Sequence, residues 1–234
     1  MGTVTEHPKP TIVGMIVSPV ETMRRIREQP IFLRAALVLC VTSLILFGII
    51  GYYQVNDPKF LEVMVKQMPQ EIKALPEVQQ QMAIAYVKRV NLSTVIAMGG
   101  IAAFLLPLLG AILLKFIFIL LRHREATFKQ LYSFFVHLYT IFILAIFVQA
   151  IAVMVTGGNL STTPTSLAGI LPVSEGLGKA ILMGFDVFII WSLVLLKVGL
   201  VEITRLTARK AWVITVFFFF IIIGLHISGF MYSN

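Results

Sequence analysis

Three polar side chains lie inside long apolar segments of the sequence, where a polar group costs stability and therefore needs an explanation. Asp186, Gln149 and His226 each belong to a different apolar segment. Counting 1.5 Å per helical residue places them at similar heights in a membrane, so they form one candidate intramembrane polar cluster. An acid and a histidine at such a depth can relay protons or ions. With the amide they can equally satisfy one another as hydrogen bonds between helices.

A second polar level, nearer the opposite face, would contain Lys115, His137 and Lys197. His137 would extend a proton path from Asp186 and His226, whereas the two lysines are close enough to the interface for their ammonium groups to reach water. One clear intramembrane acid makes a short relay. We therefore favour hydrogen bonds between helices over transport.

The motifs of enzymatic catalysis are absent from the sequence. It contains no His-Glu-x-x-His zinc motif, no Gly-x-Ser-x-Gly nucleophile turn and no glycine-rich phosphate loop ending in Lys-Ser/Thr. Its four histidines are dispersed over a tail, a loop and two apolar segments. We predict a protein that is not an enzyme and that has no catalytic, cofactor-binding or metal-binding residues.

The composition indicates the environment in which these residues work. The chain has 234 residues, 58% hydrophobic and only 13% charged, with a mean hydropathy of +0.93. Soluble domains are nearer half apolar and a quarter charged, so a soluble globular enzyme is excluded. The one cysteine, Cys40, lies in an apolar segment, and no disulfide can form within the chain.

Apolar blocks of about twenty residues match the thickness of bilayer hydrocarbon. They predict an all-α, polytopic membrane protein, with one membrane domain over residues 1–234 and five transmembrane helices. A cytoplasmic tail over residues 1–30 precedes the first span and makes a poor signal peptide, so this span should remain uncleaved. The predicted spans are residues 35–53, 94–114 (or to 121), 132–155, 180–200 and 211–231.

Lysine and arginine predict the orientation, because short cytoplasmic loops retain positive charge. An N-terminus inside the cell assigns twelve of these residues to cytoplasmic segments and six to outer segments. The C-terminus is then outside. This arrangement explains most of the net charge of +8, and we expect no nucleic-acid partner because the basic residues bracket spans and form no single patch.

A short amphipathic helix is predicted over residues 19–28, on the inner membrane surface. Ser18 can cap it, Pro19 suits its first position, and Glu21 can complete a capping box. Thr127 and Gln130 repeat the capping pattern before the third span. These two segments carry the candidate inner-face contacts to lipids or a partner, which are Arg24, Arg25, Arg27, Arg122, Arg124 and Lys129. The alternative is that the helix packs under the bundle and these cations only enforce topology.

The outer loop over residues 54–93 has apolar residues at helical spacing, interrupted by Pro69 and Pro76. It should form two or three short helices. A loop of this length either caps the bundle with its apolar stripe, which we favour, or forms an outer docking surface. The second outer loop, residues 156–178, is rich in Gly, Ser and Thr and is predicted to be flexible.

Several short motifs occur in order along residues 12–231. They are Ser-Pro leading to Arg-Glu-Gln-Pro, Thr-Phe-Lys-Gln followed by Tyr-Ser, and a Trp-to-Gly segment leading to Arg-Lys-Ala, at residues 18–19, 27–30, 127–130, 132–133, 191–199 and 209–211. Their order and spacing resemble the Yip family of integral membrane proteins, especially its prokaryotic branch. That family commonly has a proline shortly after the Tyr-Ser pair, where this sequence has Val136 and His137.

The resemblance implies five helices with a cytoplasmic N-terminus, no known catalytic centre, and a place in the bacterial cytoplasmic membrane. Eukaryotic members resemble trafficking factors that bind small GTPases, a role that we do not expect because this chain lacks their long polar N-terminal region. Some bacterial members look like accessory subunits of ABC-type exporters in envelope defence.

We therefore expect a non-enzymatic scaffold, accessory subunit or modulator of another membrane assembly, such as an ABC-type exporter or an envelope-maintenance system. Its expected partners are membrane lipids and either another membrane protein or complex or a second copy of the chain. The alternative is a small ion- or proton-coupled transporter or channel that uses Asp186.

Overall fold

The computed structural model describes residues 9–123, 125–157, 163–174 and 176–233. Within these ranges the chain forms helices joined by short turns, and the one sheet-like feature there is an isolated antiparallel bridge. The all-α prediction is therefore confirmed. The helices, in chain order, are α1 Ile12–Val17, α2 Pro19–Glu28, α3 Leu33–Asn56, α4 Pro58–Gln67, α5 Gln70–Lys73, α6 Glu77–Leu120, α7 Phe128–Thr156, α8 Leu167–Ile170, α9 Leu177–Met183, α10 Val187–Glu202 and α11 Ala208–Ser233.

Four of the described helices, α3, α6, α7 and α11, are long and apolar enough to cross a membrane. They cover the predicted first, second, third and fifth spans. Among them α7 is central, since it contacts α1, α2, α3, α6 and α10. Close packing around it depends on small residues: a Cβ added at Gly199 of α10 would collide with the ring of Phe134, and one at Gly110 of α6 with the ring of Phe135.

The predicted fourth span, residues 180–200, is wrong as one continuous helix. The chain forms α9 and α10 here, with a break over residues 184–186. Asp186 has an extended backbone at the break and caps α10, because its short carboxylate can accept hydrogen bonds from the free N–H groups of a new helix. Together the two helices still cover residues 177–202, and α10 packs against α7 and α11.

The second span extends far beyond the predicted limit. The helix α6 has 44 residues, or about 66 Å, which is about twice the thickness of bilayer hydrocarbon. It begins directly after Pro76, and no Gly or Pro interrupts it before Gly99. Its first part belongs to the predicted outer loop, where α4 and α5 are separated by Pro69 as expected.

Two helices precede the first span. The short α1 lies in the predicted tail, where the sequence analysis placed only the helix over residues 19–28, and its Met15 is fully buried. The bounds predicted for α2 are correct, but its start differs from the prediction. Ser18 ends α1 by donating its N–H to the carbonyl of Gly14, and its side chain makes no cap, while Glu21 pairs with Arg25. At the start of α7, by contrast, Thr127 and Gln130 form the predicted capping box.

The helical bundle has two ends, which we call the amino-terminal face and the arm face. The amino-terminal face contains α2, the turn between α6 and α7, and the turn between α10 and α11. The arm face is the opposite end. The arm, defined as residues 57–93, projects from it and consists of α4, α5 and the first part of α6.

Candidate functional site

Asp186 is buried, and protein donors satisfy its carboxylate. Its Oδ1 accepts hydrogen bonds from the backbone N–H of Phe188 at 2.8 Å and of Ile189 at 3.4 Å. Its Oδ2 accepts a hydrogen bond from the hydroxyl of Thr165. Such donors stabilise an acid that has been removed from water. The contacts of Asp186 are those of a helix cap.

The loop that contains Thr165 folds back against the helix break. Ser166 and Asp186 form an antiparallel bridge, Leu167 N–H donates to the carbonyl of Phe185 at 3.1 Å, and Val187 N–H donates to the carbonyl of Thr165 at 3.3 Å. The prediction of a flexible loop does not hold for residues 163–171, whereas residues 158–162 lie outside the described ranges. The 16 residues of α10 place Asp186 about 24 Å from the amino-terminal face, within hydrocarbon about 30 Å thick. Irregular backbone at that depth needs internal partners, and the bridge supplies them.

The other two members of the candidate cluster have separate surroundings. His226 Nδ1 lies 2.9 Å from the carbonyl oxygen of Ile222, one turn earlier in α11. Gln149 Oε1 is buried without a hydrogen-bond partner. In the ranges that the structure describes, no hydrogen bond or ion pair connects Asp186 to either residue. Similar height along the helices therefore does not connect the three side chains by hydrogen bonds.

The second polar level is likewise divided among local contacts. His137 is fully buried, with Nδ1 2.8 Å from the carbonyl oxygen of Ser133 in its own helix. Lys115 Nζ donates to the carbonyl of Ala126 at 3.0 Å, and Lys197 is half-buried on α10. Across the described ranges, no three His, Cys, Asp or Glu side chains lie close enough together to hold a metal ion.

The amphipathic α2 is fastened to the bundle at the amino-terminal face. Arg24 Nε and Glu202 Oε2 form an ion pair at 3.0 Å, and Arg27 Nη1 donates to the carbonyl of Glu202 at 3.0 Å. The hydrogen bond and the charge of Glu202 raise the pKa of Arg24 above its ordinary value. Gln130 Nε2 donates to the carbonyl of Arg27 at 2.7 Å, which joins α2 to α7. Since Met23 is fully buried as well, α2 packs under the bundle.

The six candidate cations of the amino-terminal face therefore fall into groups. Arg24 and Arg27 bind Glu202, and Arg25 pairs with Glu21 at 3.3 Å in its own helix. Arg122 and Lys129 are exposed. Arg124 lies outside the described residues.

A groove of about 730 Å³ lies beside the C-terminal end of α6. Lys115, Phe118, Ile119, Arg122 and His123 line it. His123 Nε2 lies 2.7 Å from the carbonyl oxygen of Thr204, so this nitrogen carries the proton and donates it, and the ring packs edge-on against Phe118. The groove joins two cations to an apolar wall at one end of the bundle.

The arm does not cap the bundle, so that expectation is wrong. No residue from 58 to 98 is buried. Lys88 Nζ donates to Asn56 Oδ1 at 3.2 Å, which sets the end of α3 beside residue 88, so the preceding residues of α6 extend beyond α3. The apolar residues of α4 face α6 across a groove of about 340 Å³, lined in part by Phe60, Met64 and Val87. The arm thus packs on itself.

An apolar stripe of α6 stays uncovered on the arm. Val78, Met82 and Tyr86 are 63%, 66% and 69% exposed. Their spacing of four residues places them on one side of the helix. Sequence reasoning missed this stripe because it placed residues 77–93 in a loop, although the absence of Gly and Pro between Pro76 and Gly99 was a signal for one long helix.

Comparison with known proteins identifies a family and a bacterial relative. The Yip1 domain model matches residues 13–229. A protein of Bacillus subtilis (strain 168) described as "Membrane protein YknW" is 30% identical over 223 residues, which cover 95% of this chain and 90% of the relative. No solved structure matches the chain significantly.

Proposed function

Because the chain belongs to the Yip1 domain family, a family of multi-pass membrane proteins, we propose that it is a non-enzymatic accessory or scaffold protein that supports another membrane assembly. The arm carries this proposal. It holds an uncovered apolar stripe away from the bundle, where a connector between two spans needs only a few residues.

The stripe has the properties of a protein-binding surface. Charged residues such as Lys59, Glu62, Lys66 and Glu77 are distributed through the arm, so the arm does not belong in hydrocarbon. A soluble surface seldom keeps a row of large apolar side chains exposed unless another molecule covers them. The 17 residues of α6 before residue 94 extend about 25 Å, long enough for a partner to contact several turns.

We further propose that the arm face is outside the cell and the amino-terminal face is cytoplasmic, in a bacterial cytoplasmic membrane. The twelve basic residues assigned to the amino-terminal side support this orientation. The resemblance of some bacterial family members to accessory subunits of ABC-type exporters makes an exporter of that class the first partner to test.

A transporter or channel that uses Asp186 is the competing hypothesis. An ion-coupling acid must exchange its partners during transport. The carboxylate of Asp186 instead accepts hydrogen bonds from Thr165, Phe188 and Ile189, and the backbone of Asp186 forms a bridge with Ser166. This arrangement supports a structural role for the acid.

Removal of the arm tests the proposal. Residues 58–88 can be replaced by a short Gly-Ser linker, because the contact between Lys88 and Asn56 shows that the two ends lie side by side. The chain without residues 58–88 and the full-length chain are each purified from their own membrane in a mild detergent. The co-purifying proteins are quantified by mass spectrometry. We expect the full-length chain to retain a membrane complex in fixed stoichiometry and the deleted chain to lose it. Retention of every stoichiometric partner by the deleted chain would exclude the arm as the docking surface.

A further inference from the structure

The cations of the amino-terminal face differ in how their charge is balanced. Arg24 and Arg25 each pair with a carboxylate, and Arg27 binds the carbonyl of Glu202. No acidic side chain of the described residues pairs with Lys115 or Arg122. These two line one groove, and that groove contains no carboxylate among its lining residues. Two cations that no carboxylate pairs with, beside an apolar wall, form a candidate anion site.

The backbone of Arg122 closes the end of α6 beside the groove. Arg122 has a φ of +53°, in the left-handed region that usually holds Gly at the end of a helix. Its N–H donates to the carbonyl of Ile119 at 3.1 Å, and the N–H of His123 donates to that of Phe118 at 2.8 Å. These bonds end α6 as a Schellman motif. An arginine at this position costs stability relative to Gly, and the same holds for Arg205, which has a φ of +55° shortly after the end of α10.

The groove combines an anion site with an apolar surface. Lys115 and Ile119 are four residues apart and share one side of α6, and Arg122, which follows the end of the helix, lines the same groove. Ile119 is exposed on this apolar helix, while Phe118 is fully buried behind it. Lys115 uses one of its three N–H groups on the carbonyl of Ala126 and keeps two for a ligand.

We propose that this groove binds the headgroup phosphate of an anionic membrane lipid from the leaflet at the amino-terminal face. The phosphate lies between the Lys115 ammonium and the Arg122 guanidinium, whose planar fork can bind two phosphate oxygens. An acyl chain of the same lipid lies along Ile119. This site is distinct from the arm and does not depend on the proposed function.

Lipid titration of the purified full-length chain tests the site. Native mass spectrometry in detergent measures binding of dioleoyl-phosphatidylglycerol and, separately, of dioleoyl-phosphatidylcholine, which has the same chains but no net charge. Near a membrane surface each basic residue contributes about fivefold to the binding of an anionic lipid. We expect a preference of at least about tenfold for phosphatidylglycerol. Arg122→Gln should lower the affinity for this lipid about fivefold and leave phosphatidylcholine binding unchanged.

Matched variants separate the groove from the general positive charge of this face. Arg122 is exposed, so Arg122→Gln should fold, and Arg122→Lys should retain most of the affinity. Arg25→Gln removes the same charge from the same face outside the groove and should change nothing. Equal losses in Arg25→Gln and Arg122→Gln, or no loss in Arg122→Gln, would overturn the proposal.

Inorganic phosphate distinguishes a lipid from a soluble anion as the source of the phosphate. We expect bound phosphatidylglycerol to remain in excess phosphate, because a soluble anion makes no contact with the apolar wall. The opposite result is that phosphate lowers the amount of phosphatidylglycerol bound to the unmodified chain to the amount bound by Arg122→Gln. That result would assign the groove to a soluble anion and overturn the lipid proposal.

Discussion

Arg24 and Glu202 form an ion pair at 3.0 Å across 178 residues of sequence, and the pair joins α2 to the C-terminal end of α10. Arg27 binds the carbonyl of the same Glu202. A helix that only rested on the membrane surface would direct its apolar side chains towards lipid. Here Met23 and Ile26 are fully buried in the protein. The amphipathic pattern of α2 therefore reflects packing under the bundle.

This packing predicts different effects for two apolar residues of α2. Met23→Ala should lower the free energy of unfolding by about 2–5 kcal/mol, because a buried side chain is lost and a cavity remains. Val20 is exposed, and Val20→Ala should change the free energy of unfolding by less than about 0.5 kcal/mol. Thermal unfolding of both variants in one detergent makes the comparison. Equal effects would show that α2 does not pack as described.

The cap at Asp186 predicts an order among substitutions. The amide oxygen of Asn can accept the hydrogen bonds from the N–H groups of Phe188 and Ile189, and its NH2 group can donate to the hydroxyl oxygen of Thr165. Asp186→Asn should therefore stay within about 0.5 kcal/mol of the unmodified protein. Asp186→Ala should lower the free energy of unfolding by about 0.5–2 kcal/mol, since the N–H groups of Phe188 and Ile189 lose their acceptor. Thermal unfolding in the same detergent measures both.

An ion-coupling acid predicts a different pattern, because Asn removes the charge as completely as Ala. Ion flux in reconstituted vesicles separates the two hypotheses. A flux that both Asp186→Asn and Asp186→Ala abolish, in variants that remain folded, would contradict the structural role and favour a transporter.

Two glycines provide a matched test of helix packing. Gly199→Ala should lower the free energy of unfolding by about 1–3 kcal/mol, because the added Cβ meets the ring of Phe134. Gly224 on α11 has open space around it, so Gly224→Ala should be neutral or stabilise the protein by up to about 1 kcal/mol. The melting temperatures of the two variants check this. An unchanged melting temperature in Gly199→Ala would show that α7 and α10 are not in close contact.

Local signals in the sequence predicted much of the fold. Pro19 and Pro30 enclose α2, and Pro69 and Pro76 divide the arm, since proline favours the first turn of a helix and disfavours its interior, although Pro107 lies within α6. The hydrogen bonds of the capping box at Thr127 join residues only three positions apart, so they too could be read from the sequence.

Long-range features could not be derived in this way. Counting residues gave similar heights for Asp186, Gln149 and His226, but height does not determine the direction in which each helix turns its side chains. The break before Asp186 depends on a bridge to Ser166, twenty residues earlier. Glu202 became important only when packing brought α10 to α2. These contacts depend on how the helices pack, which hydropathy does not encode.

The proposed orientation predicts which residues are accessible from outside the cell. In a Cys40→Ala background, Lys66→Cys, which lies on the arm outside the proposed docking stripe, should react with a membrane-impermeant maleimide added to intact cells. Lys129→Cys at the start of α7 should react only after lysis. A maleimide that carries a mass tag slows the labelled chain on a gel, and this shift reports the labelling of both variants. Labelling of Lys129→Cys in intact cells, with Lys66→Cys protected until lysis, would reverse the orientation.

Substitution of the exposed stripe tests the docking role of the arm most directly. Met82→Glu combined with Tyr86→Glu places charge on the stripe, while Gln81→Glu adds charge beside it on the same exposed helix as a control. The measurement is the molar ratio of each co-purifying membrane protein to the tagged chain, by quantitative mass spectrometry. We expect the stripe variant to lose its stoichiometric partner, whereas the control and the unmodified chain retain it. An unchanged ratio in a folded stripe variant would contradict the docking role of the arm.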